Sequence, residues 1–295
     1  MGSEENIVRE LSLGEVISKS FVLYRRDFLK YFVLFLVVDA VAGVSVALTL
    51  RGFNFAALPA HPTAEQLSSW WSSAVGVFVY FALAIILLFV LGALAGVVAI
   101  KMASDVIEGR GANLGSALRF GASKLVFVLG LTLLVGLIVG LGFILIVPGI
   151  ILGIMFSVAV PSFVIEKPGI VGSLGRSREL VGHRWLKTFA TFLVLLIIIV
   201  VIDVVVSLLS LAFGGASVVV STALGAVAAP LVPIAQTVYF YSNRARIAPV
   251  QVGQVPAGYG ASPQPGMKFC PNCGTQLPAL AAFCASCGAK QPAPV

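Results

Sequence analysis

The four cysteines of the chain are the residues whose spacing points most clearly to chemistry. They lie in two Cys-x-x-Cys-Gly motifs, Cys270 with Cys273 and Cys284 with Cys287. Two such motifs supply four thiolates for the tetrahedral coordination that zinc prefers, and the glycine after each motif permits a tight turn behind the metal. The sequence therefore predicts a structural zinc site in a ribbon covering residues 268–290.

Other roles for these cysteines are open. A single Cys-x-x-Cys motif also suits redox chemistry, although two matched motifs favour a metal. Catalytic zinc needs an open coordination position, which four cysteine ligands would close. The sequence leaves open whether the ribbon, besides zinc, binds protein, nucleic acid or nothing. Its only cations are Lys268 and Lys290, which argues against strong binding of nucleic acid.

Two carboxylates and one amide form a second group of candidate residues. Asp39 and Asp203 fall inside long apolar stretches, and Gln236 follows Pro233 in another. A charge in lipid hydrocarbon costs several kcal/mol unless it is paired, protonated or hydrated, so both acids are expected to face the interior of a helix bundle. They belong either to an ion or proton path or to a set of interior hydrogen-bonded acids, and the sequence leaves both alternatives open.

The sequence contains no convincing nucleophile constellation. His183 follows Glu179 at helical spacing, an arrangement that favours helix stabilisation over catalysis. No phosphate-binding loop, dinucleotide fingerprint or His-Glu-x-x-His pattern occurs. We therefore expect a protein that is not an enzyme.

Composition places these groups in a membrane. Hydrophobic residues make up 59% of the 295 residues and charged residues 11%, with a mean hydropathy of +1.06, which leaves too little polar surface for a soluble globule. Six stretches approach or reach the length that crosses a bilayer. They are residues 31–50, 74–100, 125–147, 150–165, 188–213 and 218–241. The predicted fold is an all-α, six-span transmembrane bundle over residues 1–246, followed by a flexible linker, 247–267, and the ribbon.

Basic residues mark one side of this bundle. Lys and Arg cluster before the first span, after the second, after the fourth and after the sixth, whereas the alternate connections contain only Arg51. The positive-inside rule places the clusters and both termini in the cytoplasm. The outer loop, residues 51–73, carries Trp70 and Trp71, which are typical of the headgroup zone. We expect a multi-pass protein of the cell membrane whose partner is the bilayer, with its anionic headgroups, rather than nucleic acid.

Amphipathic helices are predicted along the inner membrane surface. Ser12 and Glu15 form a capping box, and apolar residues then recur at helical spacing as far as Phe28. Residues 170–187 combine an apolar stripe with a basic face that suits phosphate headgroups or simple anchoring. Both segments are expected to lie flat beneath the bundle.

Glycines suggest a repeat and close helix packing. Alignment on Gly14, Gly115 and Gly172 predicts three units, each an interfacial helix followed by a two-span hairpin. Two Gly-x-x-x-Gly motifs, residues 92–96 and 136–140, favour close packing inside the bundle over contact between two copies.

The middle of the chain resembles a known family. Residues 146–150 (Ile-Val-Pro-Gly-Ile), Pro161, Glu166 and the segment 173–185 resemble the signature of the glycerophosphoryl diester phosphodiesterase membrane-domain family and its prokaryotic relatives. The resemblance is strongest over residues 125–187. Some relatives attach this region to a phosphodiesterase barrel, for which no loop here is long enough. The resemblance therefore implies a membrane architecture without hydrolytic activity.

Two functions follow from these patterns. The favoured one is a membrane scaffold or adaptor that presents a cytoplasmic zinc ribbon to protein or lipid partners. The alternative is a transporter or lipid-handling protein in which Asp39 and Asp203 line a path.

Overall fold

The computed structural model describes residues 7–52, 63–247, 267–270, 276–278, 280–284 and 288–291. The chain divides into two compact units, Met1–Ile247 and Ala248–Val295. The described part of the first unit is helical, and that of the second contains a short β-hairpin. Each unit is described by itself.

The described part of the first unit contains ten α-helices. They are α1 (Leu13–Arg26), α2 (Phe28–Gly52), α3 (Ala64–Ile107), α4 (Leu114–Gly142), α5 (Val147–Met155), α6 (Ala159–Ile165), α7 (Gly169–Gly182), α8 (Trp185–Leu211), α9 (Ser217–Ala228) and α10 (Leu231–Ile247). Six segments are long and apolar enough to cross a membrane: α2, α3, α4, α5 with α6, α8, and α9 with α10. The predicted fold class is confirmed.

The longest helix begins earlier than the residue pattern predicts. α3 starts at Ala64 rather than at residue 74, because Thr63 and Gln66 form a capping box in which each side chain accepts the other's backbone N–H. At about 1.5 Å per residue, the helix is roughly 66 Å long, twice the thickness of a hydrocarbon core of about 30 Å, so it must project from the membrane. Trp70 and Trp71, expected in a loop, lie on this helix.

Prolines divide the fourth and sixth spans. Pro161 lies in the first turn of α6, where a missing N–H breaks no helical hydrogen bond, and residues 156–158 separate that helix from α5. Pro230 lies between α9 and α10. The turn between the third and fourth spans is a 3₁₀ turn at Phe143–Leu145, and Pro148 belongs to the first turn of α5 instead of to the connection.

Only two of the three predicted interfacial helices are separate elements. α1 ends at Arg26, before the first span, and α7 ends at Gly182, before the fifth. In the middle unit, α4 runs without a break from Leu114 to Gly142. The predicted threefold repeat is therefore wrong in its middle copy.

Close helix contacts occur at glycines other than those expected. In the motifs 92–96 and 136–140, a Cβ added to any glycine would meet nothing within 4 Å in the described part of the chain. By contrast, a Cβ on Gly43 would lie 2.6 Å from Oγ1 of Thr222, and one on Gly121 would lie 2.9 Å from a leucine of α3. The absence of a side chain thus brings α2 onto α9 and α4 onto α3.

Helix α1 is amphipathic, but not all of the apolar residues that recur at helical spacing are buried. The capping box is present, with Ser12 Oγ accepting the N–H of Glu15 and the Glu15 carboxylate accepting the N–H of Ser12. Leu23 and Tyr24 are buried, whereas Phe21 is exposed. α1 packs against α10 and leaves an apolar face uncovered, as expected for a helix at a membrane surface.

The tightly packed core lies at one end of the bundle, here called the basal end. The buried residues of α3 fall between Ala95 and Ile107, and those of α10 between Leu231 and Asn243. Away from this end, large apolar side chains such as Phe78 and Leu133 are exposed. Exposed apolar surface of this extent is unfavourable in water and suits lipid.

Helix α10 joins the basal elements through hydrogen bonds. The pairs are Tyr239 with Thr188 of α8 (2.6 Å), Tyr241 with Ser104 (2.8 Å) and with Glu108 near the end of α3, Ser242 with the N–H of Leu11 (2.8 Å), and Arg246 with the carbonyl of Leu180 on α7 (3.0 Å). These pairs give buried polar groups partners and fix four elements around α10.

Glu10 joins the N-terminal segment to the start of α8. Its carboxylate accepts a hydrogen bond from Lys187 and lies 3.2 Å from Nη2 of Arg184, with 20% of the side chain exposed. Burial alone raises the pKa of Glu10, but the Lys187 hydrogen bond and the nearby positive charges outweigh it and hold the pKa below its ordinary value of 4.5. Because the folded-state pKa is the lower one, the stabilisation is present above pH 4.5 and is lost as the pH falls through the folded-state pKa.

We expect Glu10→Gln to lower the free energy of unfolding in detergent by about 1–2 kcal/mol near neutral pH, because two charge-assisted hydrogen bonds are weakened. The difference should shrink as acid protonates the native carboxylate. Thermal unfolding followed by circular dichroism measures both. Glu15→Gln is the matched control, since glutamine also completes a capping box and the Arg9 pair is solvent-exposed. A pH-independent loss at Glu10 would contradict this role.

The second unit contains a two-stranded hairpin. β1 (Met267–Phe269) pairs antiparallel with β2 (Gln276–Pro278), with Lys268 opposite Leu277. An isolated bridge joins Phe283 to Lys290. The hairpin and this bridge position the described cysteines.

Candidate functional sites

Cys270 and Cys284 are buried together in the ribbon. Cys270 directly follows β1, and both cysteines pack in one small cluster with Leu277. The amide Nε2 of Gln291 donates to Sγ of Cys270 at 3.3 Å. Gly288, with φ of +71°, turns the chain back so that its N–H reaches the carbonyl of Cys284 at 2.8 Å.

This arrangement fits thiolate ligands of a metal. Cys273 and Cys287 lie outside the described residues, and within those residues no three His, Cys, Asp or Glu side chains form a metal-binding group. The two described cysteines nevertheless share one buried cluster, and the Gln291 amide is a donor of the kind that stabilises negative charge on a ligating sulfur. The two described cysteines and the neighbouring amide therefore suit a zinc site.

Asp39 and Asp203 line a single cavity inside the helical unit. The cavity has a volume of about 430 Å³ and is bounded by α2, α8, α9 and the start of α10. Asp39 is half-buried, whereas Asp203, which was also expected to face the interior of the bundle, is exposed. Neither carboxylate has a hydrogen-bond or ion-pair partner among the described residues. The structure thus brings together two acids that are separated widely in sequence.

The sequence analysis did not single out the hydroxyl groups of this cavity. Ser221 and Thr222 of α9 line it beside the two aspartates. A Cβ added to Gly225 would lie 3.6 Å from Oδ2 of Asp39, so the backbone of α9 passes close to that carboxylate. Adjacent polar residues in an otherwise apolar span are the signal that would have indicated them.

Gln236 lies at a different site from the two aspartates. It lines a second cavity, of about 230 Å³, together with Gly92, Gly96 and Thr132. The three residues grouped as one intramembrane polar site by the sequence are therefore divided between two cavities. Gly92 and Gly96, which were expected to pack against a helix, instead line this second cavity.

Basic residues of α7 and the start of α8 bind carboxylates of the protein itself. Arg176 donates to both oxygens of Glu166, at 2.7 and 3.0 Å, and to Glu179 at 2.8 Å. These hydrogen bonds, Glu166 foremost, raise the pKa of Arg176. Glu179 pairs with Arg176 rather than supporting His183, which is exposed beyond the helix end. This basic face therefore joins α6, α7 and the N-terminal segment.

The fold and these sites define a multi-pass helical membrane protein with a C-terminal zinc-ribbon domain. The family model that describes a zinc-ribbon domain matches residues 269–291, which include all four cysteines. No curated protein and no solved structure matches the chain significantly. The resemblance to the glycerophosphoryl diester phosphodiesterase membrane-domain family is not supported by any match.

Proposed function

We propose that this chain is a non-enzymatic scaffold or adaptor of the cell membrane that presents a zinc ribbon to protein or lipid partners in the cytoplasm. The observation that supports it most directly is the order of the parts: six membrane-length segments come first, and a zinc-ribbon domain follows them after residue 247. A small domain attached to a multi-pass anchor is held at the membrane surface, where it can bind partners.

The orientation is proposed from charge. Lys101, Lys124, Lys167 and Arg246 lie just outside the spans predicted from the sequence, 74–100, 125–147, 150–165 and 218–241, at the ends that belong to the basal end. Basic connections remain on the cytoplasmic side during insertion, so the basal end and both chain termini are proposed to be cytoplasmic. The reducing cytoplasm also suits thiolates that bind a metal.

We propose that Cys270, Cys273, Cys284 and Cys287 hold one structural Zn²⁺. Two described cysteines are buried beside a side-chain amide donor, and the other two complete a four-thiolate set by their spacing. When bound, zinc would link the two halves of a domain too small to fold on an apolar core alone. A closed four-cysteine shell leaves no position for substrate, in agreement with an adaptor rather than an enzyme.

Crosslinking in cells, followed by affinity capture, tests the adaptor function. A partner bound by the full chain should be lost both when residues 268–290 are deleted and when Cys270 is replaced by Ser. Leu280→Ala is the matched control. It changes a side chain that is 84% exposed, so the cysteines should still bind zinc. An unchanged set of partners after loss of the ribbon would exclude the proposal.

A second function is favoured by the cavity that Asp39 and Asp203 share. Two carboxylates and two hydroxyls around one intramembrane space are suited to a cation, a proton or the polar part of a lipid, because they offer oxygen acceptors where hydrocarbon offers none. On this alternative the chain is a transporter or a lipid-handling protein.

Replacing both acids by asparagine distinguishes the two functions. If the cavity is a transport path, Asp39→Asn with Asp203→Asn should abolish cation or lipid flux in reconstituted vesicles while thermal unfolding changes little, since asparagine keeps the side-chain volume. Gln236→Leu at the separate cavity is the control and should retain flux. Flux that survives the double replacement would assign the acids a structural role.

A further inference from the structure

Three lysines from three separate span ends surround one face of α4. Lys101 lies near the end of α3, Lys124 lies in α4 itself, and Lys167 lies in the turn between α6 and α7. Nζ of Lys101 and Nζ of Lys167 each lie 5.9 Å from the centre of the Phe120 ring, and Nζ of Lys124 lies 5.9 Å from that of Phe127. The aromatic faces hold these ammonium groups by cation–π attraction.

The packing that assembles this group is specific. Gly121 lets α4 approach α3, which carries Lys101. A Cβ on Gly130 would lie 3.4 Å from Cδ1 of Ile170, so the first turn of α7, three residues after Lys167, also lies against α4. Phe120, Lys124 and Phe127 follow at helical spacing and share one face.

Two of the three charges are not neutralised by the protein. Lys101 pairs with Asp105. In the part of the chain that the structure describes, neither Lys124 nor Lys167 has a carboxylate partner. Glu166, next to Lys167 in the chain, is bound by Arg176 through two hydrogen bonds. The group therefore presents net positive charge at the hydrocarbon boundary.

An apolar surface adjoins these cations on α4 at Phe127, which is 54% exposed and lies next to Lys124 on the same face. The neighbouring Val126 is 79% exposed and begins a row around the helix from Lys124, which Leu133 and Leu137 continue away from the basal end. A free phosphate would use only the cations. A phospholipid uses both features, since its phosphate pairs with ammonium groups while its acyl chains cover apolar side chains.

We propose that Lys124 and Lys167, with Lys101 and the Phe120 ring behind them, bind the phosphate of one anionic phospholipid whose acyl chains lie along α4. The site rests on the membrane partner proposed above but not on the ribbon, so its loss would leave the adaptor test unaffected. We propose it as the place of headgroup contact instead of the basic face of residues 170–187, where Arg176, Arg184 and Lys187 bind carboxylates of the protein.

Native mass spectrometry of the detergent-solubilised full chain, titrated with phosphatidylglycerol or phosphatidylcholine, tests this site. We expect one phosphatidylglycerol to bind in preference to phosphatidylcholine, and Lys124→Gln with Lys167→Gln to weaken its binding by about thirtyfold, as the loss of two nearby cations implies. Arg25→Gln with Arg178→Gln removes the same charge from exposed positions on α1 and α7 and should leave binding unchanged.

Three results would overturn the proposal. Equal loss in both double variants would mean diffuse attraction, equal binding of the two lipids would mean that charge is not recognised, and full displacement by inorganic phosphate would mean a site for free phosphate. Should the glutamine pair fail to fold, Lys124→Arg with Lys167→Arg, which keeps the charge, and each single glutamine variant are measured instead. Retained binding in the arginine pair with loss in either single variant supports the site, and unchanged binding in both single variants contradicts it.

Discussion

Removal of zinc is expected to unfold the ribbon and leave the helical unit intact. The described ribbon core consists of Cys270, Leu277 and Cys284 with two partly buried alanines, far too little apolar area to offset the entropy of ordering the chain. Structural zinc contributes about 10–16 kcal/mol of apparent binding free energy in comparable small domains, so folding should depend on it entirely.

Zinc content and protease resistance measure this effect together. The purified chain should contain about one zinc ion, and trypsin should cleave after Lys268 and Lys290, which lie in the hairpin and the bridge, only once a chelator has removed the metal. Cys270→Ser should lose zinc and become cleavable, whereas Leu280→Ala should behave as the parent. Thermal unfolding of the helical unit should not change. A ribbon that resists trypsin without metal would contradict a structural zinc.

Gly149→Ala is expected to destabilise the helical unit more than other small substitutions in its spans. A Cβ at this position would lie 2.5 Å from Cγ of Phe143 and 2.7 Å from its backbone N and Cα. Backbone atoms cannot rotate away, so the turn between α4 and α5 would have to open. Overpacking of this kind costs about 1–3 kcal/mol of stability. Because the backbone of Phe143 cannot move aside, we expect the loss for Gly149→Ala to lie at the upper end of this range.

Gly153→Ala is a matched control four residues later on the same helix. Its Cβ would lie 3.7 Å from Cγ1 of Val139, an ordinary contact, and alanine is about 0.5–1 kcal/mol better than glycine in a helix interior. Thermal unfolding in detergent should therefore move in opposite directions for the two variants. Equal shifts would show that the close approach at Gly149 does not support the hairpin.

Features that depend on local sequence could be predicted well. Six apolar lengths are sufficient to define six spans, because backbone groups in hydrocarbon must bond within their own helix. The capping box at Ser12 and Glu15 is equally local. The early start of α3 was missed although the signal, Thr63 three residues before Gln66, is of the same kind. Pro148 falls between the third and fourth predicted spans, but it lies in the first turn of α5, a position that proline favours.

Features that depend on distant contacts could not be predicted. Asp39 and Asp203 were recognised as costly in a membrane, yet their shared cavity depends on how α2, α8 and α9 pack. The pairing of Glu10 with Lys187 joins residues far apart in the chain. No periodicity in the sequence could therefore show that Lys187 binds a carboxylate of the protein itself. The Gly-x-x-x-Gly motifs did not predict where helices pack closely, for the related reason that close packing needs a partner surface as well as a missing side chain.

Cysteine labelling in intact cells tests most directly whether the bundle spans the membrane with its basal end and the ribbon in the cytoplasm. Ala216→Cys lies between α8 and α9, and Ser116→Cys lies at the start of α4; both positions are exposed. With the parent chain as background, a membrane-impermeant maleimide should label Ala216→Cys in intact cells and Ser116→Cys only after permeabilisation. Labelling of Ser116→Cys from outside, with Ala216→Cys protected, would contradict the proposed orientation and place the ribbon on the other side.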